Sequence, residues 1–183
     1  MTAIRIANFK THQARSLSVK CRTILSACRT YRYVLWRELD RTNRTYCLFI
    51  GLNPSTADEV EDDPTIRRCL AFARRWGYGS LCMANLFAYR ATRPAELKAA
   101  TAPVGPRNDH WLVRSASEAA IVIAAWGVHG SLADRDQSVV SLLGDRFSCL
   151  GLTKHGQPRH PLYLKRTACP KRWIPSSRSR LIA

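Results

Sequence analysis

From Tyr31 onward, apolar positions alternate between two periods. Four runs of strand length are apolar at nearly every position: Tyr46–Leu52 (YCLFIGL), Leu81–Phe87 (LCMANLF), Ala119–Trp126 (AAIVIAAW) and Phe147–Leu152 (FSCLGL). Runs of this kind predict strands covered on both faces, as in a parallel sheet. Tyr31–Leu39 (YRYVLWREL) instead alternates aromatic or aliphatic residues with arginines, which predicts a half-exposed strand. The polar turn Asp40–Arg44 would return it to the Tyr46 run as an antiparallel neighbour.

Helical periods lie between the strands. Ile66, Cys69, Leu70, Ala73 and Trp76 form one stripe, with Arg67, Arg68, Arg74 and Arg75 largely off it. Asp62 or Asp63 can cap that helix, Pro64 suits its first turn, and Gly77–Gly79 ends it. Further helices are expected over Arg93–Ala100, Asn108–Ala120 and Ser131–Leu143. Strands alternating with helices after an initial hairpin predict an α/β protein, a three-layer α/β/α domain over residues 30–164 with a mostly parallel central sheet. In such sheets the strand C-termini share one edge, where ligands bind. Loops 53–63, 85–90, 127–130 and 153–160 should meet there.

The net charge of +16 changes this picture less than its size suggests. Residues 1–29 and 165–183 each hold six Lys or Arg and no acid, so residues 30–164 carry 17 basic against 13 acidic residues, only +4. The ends read as a basic N-terminal extension, 1–29, and a basic C-terminal tail, 165–183, both expected to be disordered or to add non-specific phosphate affinity. The Arg-rich, acid-free start also has the composition of an organellar transit peptide, with an over-extended start or a disordered arm as the alternatives. Seven scattered cysteines without a C-x-x-C pair point to reduced thiols and a cytoplasmic setting. No apolar run is long enough to span a bilayer as a helix, so no membrane partner is expected.

Candidate chemistry gathers at the predicted edge. Gly51 permits a close turn, and Asn53 offers an amide that could position a water or a substrate edge. Asn53-Pro54-Ser55 can equally be an Asx turn leading into the helix. Asp58, Glu59, Glu61, Asp62 and Asp63 could hold a divalent cation or supply a general base, or could simply serve the helix N-terminus. His129, His155 and His160 match no zinc spacing, so neither a metal nor a cofactor is implied. The proline after His160 holds it extended, and Gly127-Val-His-Gly can serve as a strand-to-helix turn. No phosphate loop, G-x-G-x-x-G or G-x-S-x-G motif occurs, which disfavours NTPase, dinucleotide-binding and α/β-hydrolase readings.

The series GLNPSTAD, DDPT, ANLFAYR, AAWG and LGLTKHGQPRHPLYL, over Tyr31–Leu164, resembles a bacterial and phage family catalogued as a domain of unknown function. More distantly, the order of landmarks is similar to the uracil-DNA glycosylase superfamily. The shared features are Gly51, Asn53 and Pro54 after one strand, Asn85 ending a second, Trp126-Gly127 ending a third, and His160-Pro161 followed by leucine. The resemblance implies that Asn53 positions a hydrolytic water, Asn85 reads a pyrimidine edge, and His160 stabilises charge on the departing base. Ser55, Trp126, Gly127 and His129 join Gly51, Pro54 and Asn85 as expected substrate contacts, with Asp58 and Asp63 as further candidates. The partner implied is a nucleic acid or nucleotide. A non-catalytic nucleotide or small-ligand binder with basic tails, and a metal-dependent enzyme using the acidic loop, are the competing readings. Departures are Ser55-Thr56-Ala57-Asp58 after the Asn-Pro pair and the lack of a Ser-rich continuation after His160-Pro161.

Overall fold

The computed structural model describes residues 21–55 and 61–175. It is a mixed α/β fold built on one seven-stranded sheet. The strands are β1 (Cys21–Leu25), β2 (Arg32–Glu38), β3 (Tyr46–Gly51), β4 (Ser80–Asn85), β5 (Ile121–Ala124), β6 (Phe147–Cys149) and β7 (Lys171–Arg172). Their spatial order is β1-β2-β4-β3-β5-β6-β7. The central neighbours β4-β3, β3-β5 and β5-β6 are parallel, whereas β1-β2, β2-β4 and β6-β7 are antiparallel. The expected mostly parallel sheet is therefore a parallel core with antiparallel edges.

The hairpin expected between β2 and β3 does not form, because β4 lies between them. Backbone bonding around the turn shows how. Leu39 and Asp40 donate to the Gly79 carbonyl, and Gly79 and Ser80 donate to the Thr45 carbonyl. The 40–45 connection thus crosses the start of β4. Only glycine fits at that crossing, since a Cβ on residue 79 would lie 1.8 Å from the Asn43 carbonyl oxygen.

Alternate residues of the central strands feed two cores. Leu48 and Ile50 join Leu112 and Ala116 of α3 (Asn108–Ser117) and Val139, Val140 and Leu143 of α4 (Arg135–Leu143). Cys47 and Phe49 join Ile66, Cys69, Phe72 and Ala73 of α1 (Pro64–Arg75) on the other face. Helix α2 (Pro94–Ala99) lies in the long connection after β4. The segment expected as a single helix from Ser131 is split. A 3₁₀ stretch over Gly127–Asp134 breaks at Ala133 and Asp134, whose φ values are 52° and 50°, and α4 starts only at Arg135. Gly130 packs so tightly on the Trp126 indole that a Cβ there would lie 1.9 Å from Trp126 Cδ1.

Two segments assigned to the basic ends belong to the fold. Cys21–Leu25 pairs along β2, and Lys171–Arg172 pairs with β6. Behind β7, Trp173 is 8 % exposed, with its ring 5.5 Å from Trp126 and 5.9 Å from Phe147. Composition hid both, because an edge strand needs few apolar residues when its neighbour supplies the core. Likewise β2 is not half-exposed: Arg32 and Arg37 are 2 % and 4 % exposed. β2 is an interior strand between β1 and β4, and Arg37 Nε meets Asp62 Oδ1 at 2.8 Å.

All seven cysteines are free, with Cys47, Cys69, Cys82 and Cys149 buried. Among the described residues, no helix is long and apolar enough to cross a membrane. Trp173→Ala should cost about 3–5 kcal/mol, the range for emptying a buried aromatic site. A denaturant midpoint unchanged from wild type would show that this tail does not contribute to the core.

Candidate functional site

The site is built where β3 and β4 end together. Their parallel register places Gly51 opposite Asn85. Beyond it, Leu86 and Phe87 donate backbone hydrogen bonds to the carbonyls of Gly51 and Leu52, both at 2.9 Å. The polar side of the turn after β4 is satisfied from the helices behind. Asn108 Nδ2 donates to the carbonyls of Asn85 (3.0 Å) and Leu86 (2.8 Å), and Arg135 Nε donates to the Leu86 carbonyl (2.9 Å). Arg135 is itself ion-paired with Asp109. Sequence reasoning missed Asn108 and Arg135, since an Asn opening a helix and an Arg within one look like ordinary surface residues.

The pocket in front of this edge has a volume of about 410 Å³. Gly51, Asn53, Ser55, Asp63, Asn85, Trp126, Gly127, His129 and His160 all line it, so residues from four separate loops share one wall. Arg32, Tyr163 and Thr92 join them without having been anticipated. Pro54 is buried behind the wall, where its carbonyl accepts from Asn53 and Ala91. His155 lines a different cavity with Gln157 and Asp136. Asp58 and Glu59 lie outside the described residues.

Neighbours fix the chemistry left to each group. Asn53 Nδ2 donates to the carbonyls of Pro54 (3.0 Å) and Ala91 (2.7 Å), which commits its donors and leaves Oδ1 as the acceptor offered to the pocket. Asn85 shows the opposite pattern. It is 2 % exposed, and its Nδ2 is buried with no hydrogen-bond partner among the described residues. Gly51 is what makes room for that carboxamide, because a Cβ there would stand 2.8 Å from Asn85 Oδ1.

Asp62 and Asp63 serve structure. Asp63 is the N-cap of α1, accepting from Ile66 N at 2.8 Å on one oxygen and from Ser55 Oγ at 2.5 Å on the other. Asp62 is held by Arg37. No group of three or more His, Cys, Asp or Glu among the described residues could hold a metal ion.

His160 is set by the loop that follows β6. Gly127, with φ 74°, donates its N–H to the Pro158 carbonyl at 2.8 Å and draws that loop against the end of β5. The His160 Nδ1 accepts from Leu162 N at 3.4 Å, capping the short 3₁₀ turn Pro161–Tyr163. An accepting Nδ1 places the proton of the neutral ring on Nε2. Burial lowers the His160 pKa from its ordinary 6.5, against a smaller opposing pull from Asp63. The Trp126 indole is a wall and not a ligand group, since its Nε1–H donates to Gln157 Oε1 at 2.8 Å and Gln157 in turn donates to Asp136 at 2.7 Å.

Two outcomes follow from this geometry. Because the folded pKa of His160 is depressed, unfolding takes up a proton below pH 6.5. Its contribution is complete above that value and is lost as pH falls through the folded pKa. The denaturant midpoint should therefore fall on acidification from pH 7 by more in wild type than in His160→Gln; equal slopes would place the histidine in solvent. Gly51→Ala should push the Asn85 carboxamide aside and cost about 1–3 kcal/mol by overpacking. Nuclear magnetic resonance would read this as a displaced Asn85 side-chain amide signal, and an unmoved signal would mean the two residues are not in contact.

Comparison with curated proteins and with solved structures found no match. The family described as "Protein of unknown function (DUF1643)" matches residues 32–162, a span that runs from β2 past His160 and holds every residue lining the pocket except Tyr163. The chain belongs to the DUF1643 family.

Proposed function

We propose that the pocket receives a nucleobase and that the protein acts on it as a uracil-DNA-glycosylase-like hydrolase. The observation that carries this is Asn85, which lines the pocket at the end of β4 and whose buried Nδ2 has no hydrogen-bond partner among the described residues. A carboxamide presents a donor and an acceptor side by side, the complement of the carbonyl and ring N–H on a pyrimidine edge. Asn53 Oδ1 can accept from a water, and the Nε2–H of neutral His160 can donate to a base carbonyl on which negative charge develops. In that reaction the glycosidic electron pair leaves with the base. Water oxygen bonds to the sugar carbon, and the water proton ends on the departed base. Such a step needs positioned donors more than a strong nucleophile.

A nucleic acid is the substrate form that the surroundings favour. Arg67, Arg68 and Arg75 on α1, with Arg166, line an open groove next to Leu162, beside the turn that carries His160. A base extruded from a strand held there would enter the pocket. One observation favours a second, non-catalytic reading. Asp63, the carboxylate on the pocket wall among the described residues, is already committed to Ser55 and Ile66, so these residues offer no free carboxylate as a general base.

Incubation with uracil-containing and hypermodified oligonucleotides, scored for abasic sites, separates the two. Release of base that drops at least about a hundredfold in Asn53→Ala and Asn85→Ala supports the hydrolase, a scale expected from losing a positioned donor or acceptor. Binding of nucleobases without release in the wild type would sink the hydrolase and leave the binder.

A further inference from the structure

A second cavity, of about 310 Å³, lies at the other end of the same strands. Tyr46 and Ser80, which line it, are the first residues of β3 and β4, whereas Gly51 and Asn85 are the last. At about 3.3 Å per residue, the two cavities are on the order of 16 Å apart along β3.

Three arginines from separate segments meet there: Arg22 of β1, Arg44 of the crossing connection and Arg114 of α3. None of the three makes an ion pair among the described residues. Neither basic end of the chain holds an acid that could neutralise them. The lone carboxylate on the cavity wall is Glu118. The rest of the wall is aromatic. Trp36 and Tyr46 are packed edge to face at 4.7 Å, and Trp111 carries the Arg114 guanidinium 5.6 Å above its ring. Three like charges facing a single carboxylate keep a net positive charge, and an anion with two charges relieves the remaining repulsion. A solvated basic face does not also require a concave aromatic wall.

We propose that this cavity is a second ligand site, for a nucleoside monophosphate. The phosphate dianion would sit among Arg22, Arg44 and Arg114, and the planar base against Trp36 and Tyr46. Glu118 would accept a hydrogen bond from a sugar hydroxyl or an exocyclic amine, as acidic residues do for ribose elsewhere. The volume suits one nucleotide, at the lower end of small-molecule sites. A strand lying across the arginines is the competing occupant, and the experiment separates it. The site is independent of the nucleobase pocket and does not rest on the hydrolase reading.

The test uses the full chain, titrated with adenosine or uridine monophosphate, with the matching nucleoside, with inorganic phosphate and with a short single-stranded oligonucleotide. The monophosphate should bind at least about tenfold tighter than nucleoside or phosphate alone, each lacking one half of the contacts. The indole N–H resonances of Trp36 and Trp111 should move while the side-chain amides of Asn53 and Asn85 stay. Arg44→Gln with Arg114→Gln, both exposed and so compatible with an unchanged thermal midpoint, should weaken binding at least about tenfold. The proposal is overturned by shifts confined to Asn53 and Asn85, or by affinity untouched in the double variant. Inorganic phosphate or the oligonucleotide binding as tightly as the monophosphate would overturn it too.

Discussion

The pairing of β3 with β4 is the constraint on which the rest depends. Its six-residue parallel register ends with Gly51 facing Asn85, and the chain then turns away on both strands under backbone bonds from Leu86 to Gly51 and from Phe87 to Leu52. Without β4 inserted beside β3, Asn85 would not reach the Asn53 loop. That insertion depends in turn on a bare glycine at 79, over which the 40–45 connection passes. The Asn85 and Leu86 carbonyls at the turn are met by Asn108 and Arg135, which ties the segment to the helices behind it.

Against that rigid edge, the state of each polar group separates function from support. Leaving a buried donor unpaired costs about 1–3 kcal/mol. Asn108 Oδ1 is also buried and unpartnered, so an open amide alone distinguishes nothing. What distinguishes Asn85 is its place on the pocket wall, beside an Asn53 whose donors are spent and a His160 whose Nδ1 is spent. The three leave a donor, an acceptor and a second donor. That set can hold a flat polar ring and one water.

Much of this was legible in the chain. Apolar runs located β3, β4, β5 and β6, and the Asp63-Pro64 pair marked the start of α1, because those signals are local. Pairing was not local. The expectation that β2 and β3 form a hairpin rested on a short polar turn, and nothing in the spacing of Asn43 and Gly79 reveals that one crosses the other. Arg32 and Arg37 were read as a solvent face for the same reason. An alternating arginine signals exposure unless a partner acid arrives from elsewhere, and for Arg37 that acid is Asp62, 25 residues on. At the pocket, the meeting of these loops was legible but hydrogen-bond commitment was not: nothing in the residue order says that Asn53 has given away its donors and Asn85 has not.

The acidic run next to the pocket would, as written in the sequence, repel a phosphate backbone. The structure answers that objection for Asp62, and it gives Asp63 a structural role. Asp62 is paired with the buried Arg37, and both oxygens of Asp63 accept hydrogen bonds at the helix start. On the outer side of the same helix, Arg68 and Arg75 reach the carbonyls of Leu164 and Arg166, which uses some of their donors and none of their charge. These arginines add positive potential beside the His160 turn, and their effect falls off within about 8–10 Å at ordinary salt. Under the proposed function, a phosphate would be drawn over that range to the groove beside the pocket, and the uncharged trio inside would be left to discriminate among bases. Charge would bring the strand, and the amides would choose the ring.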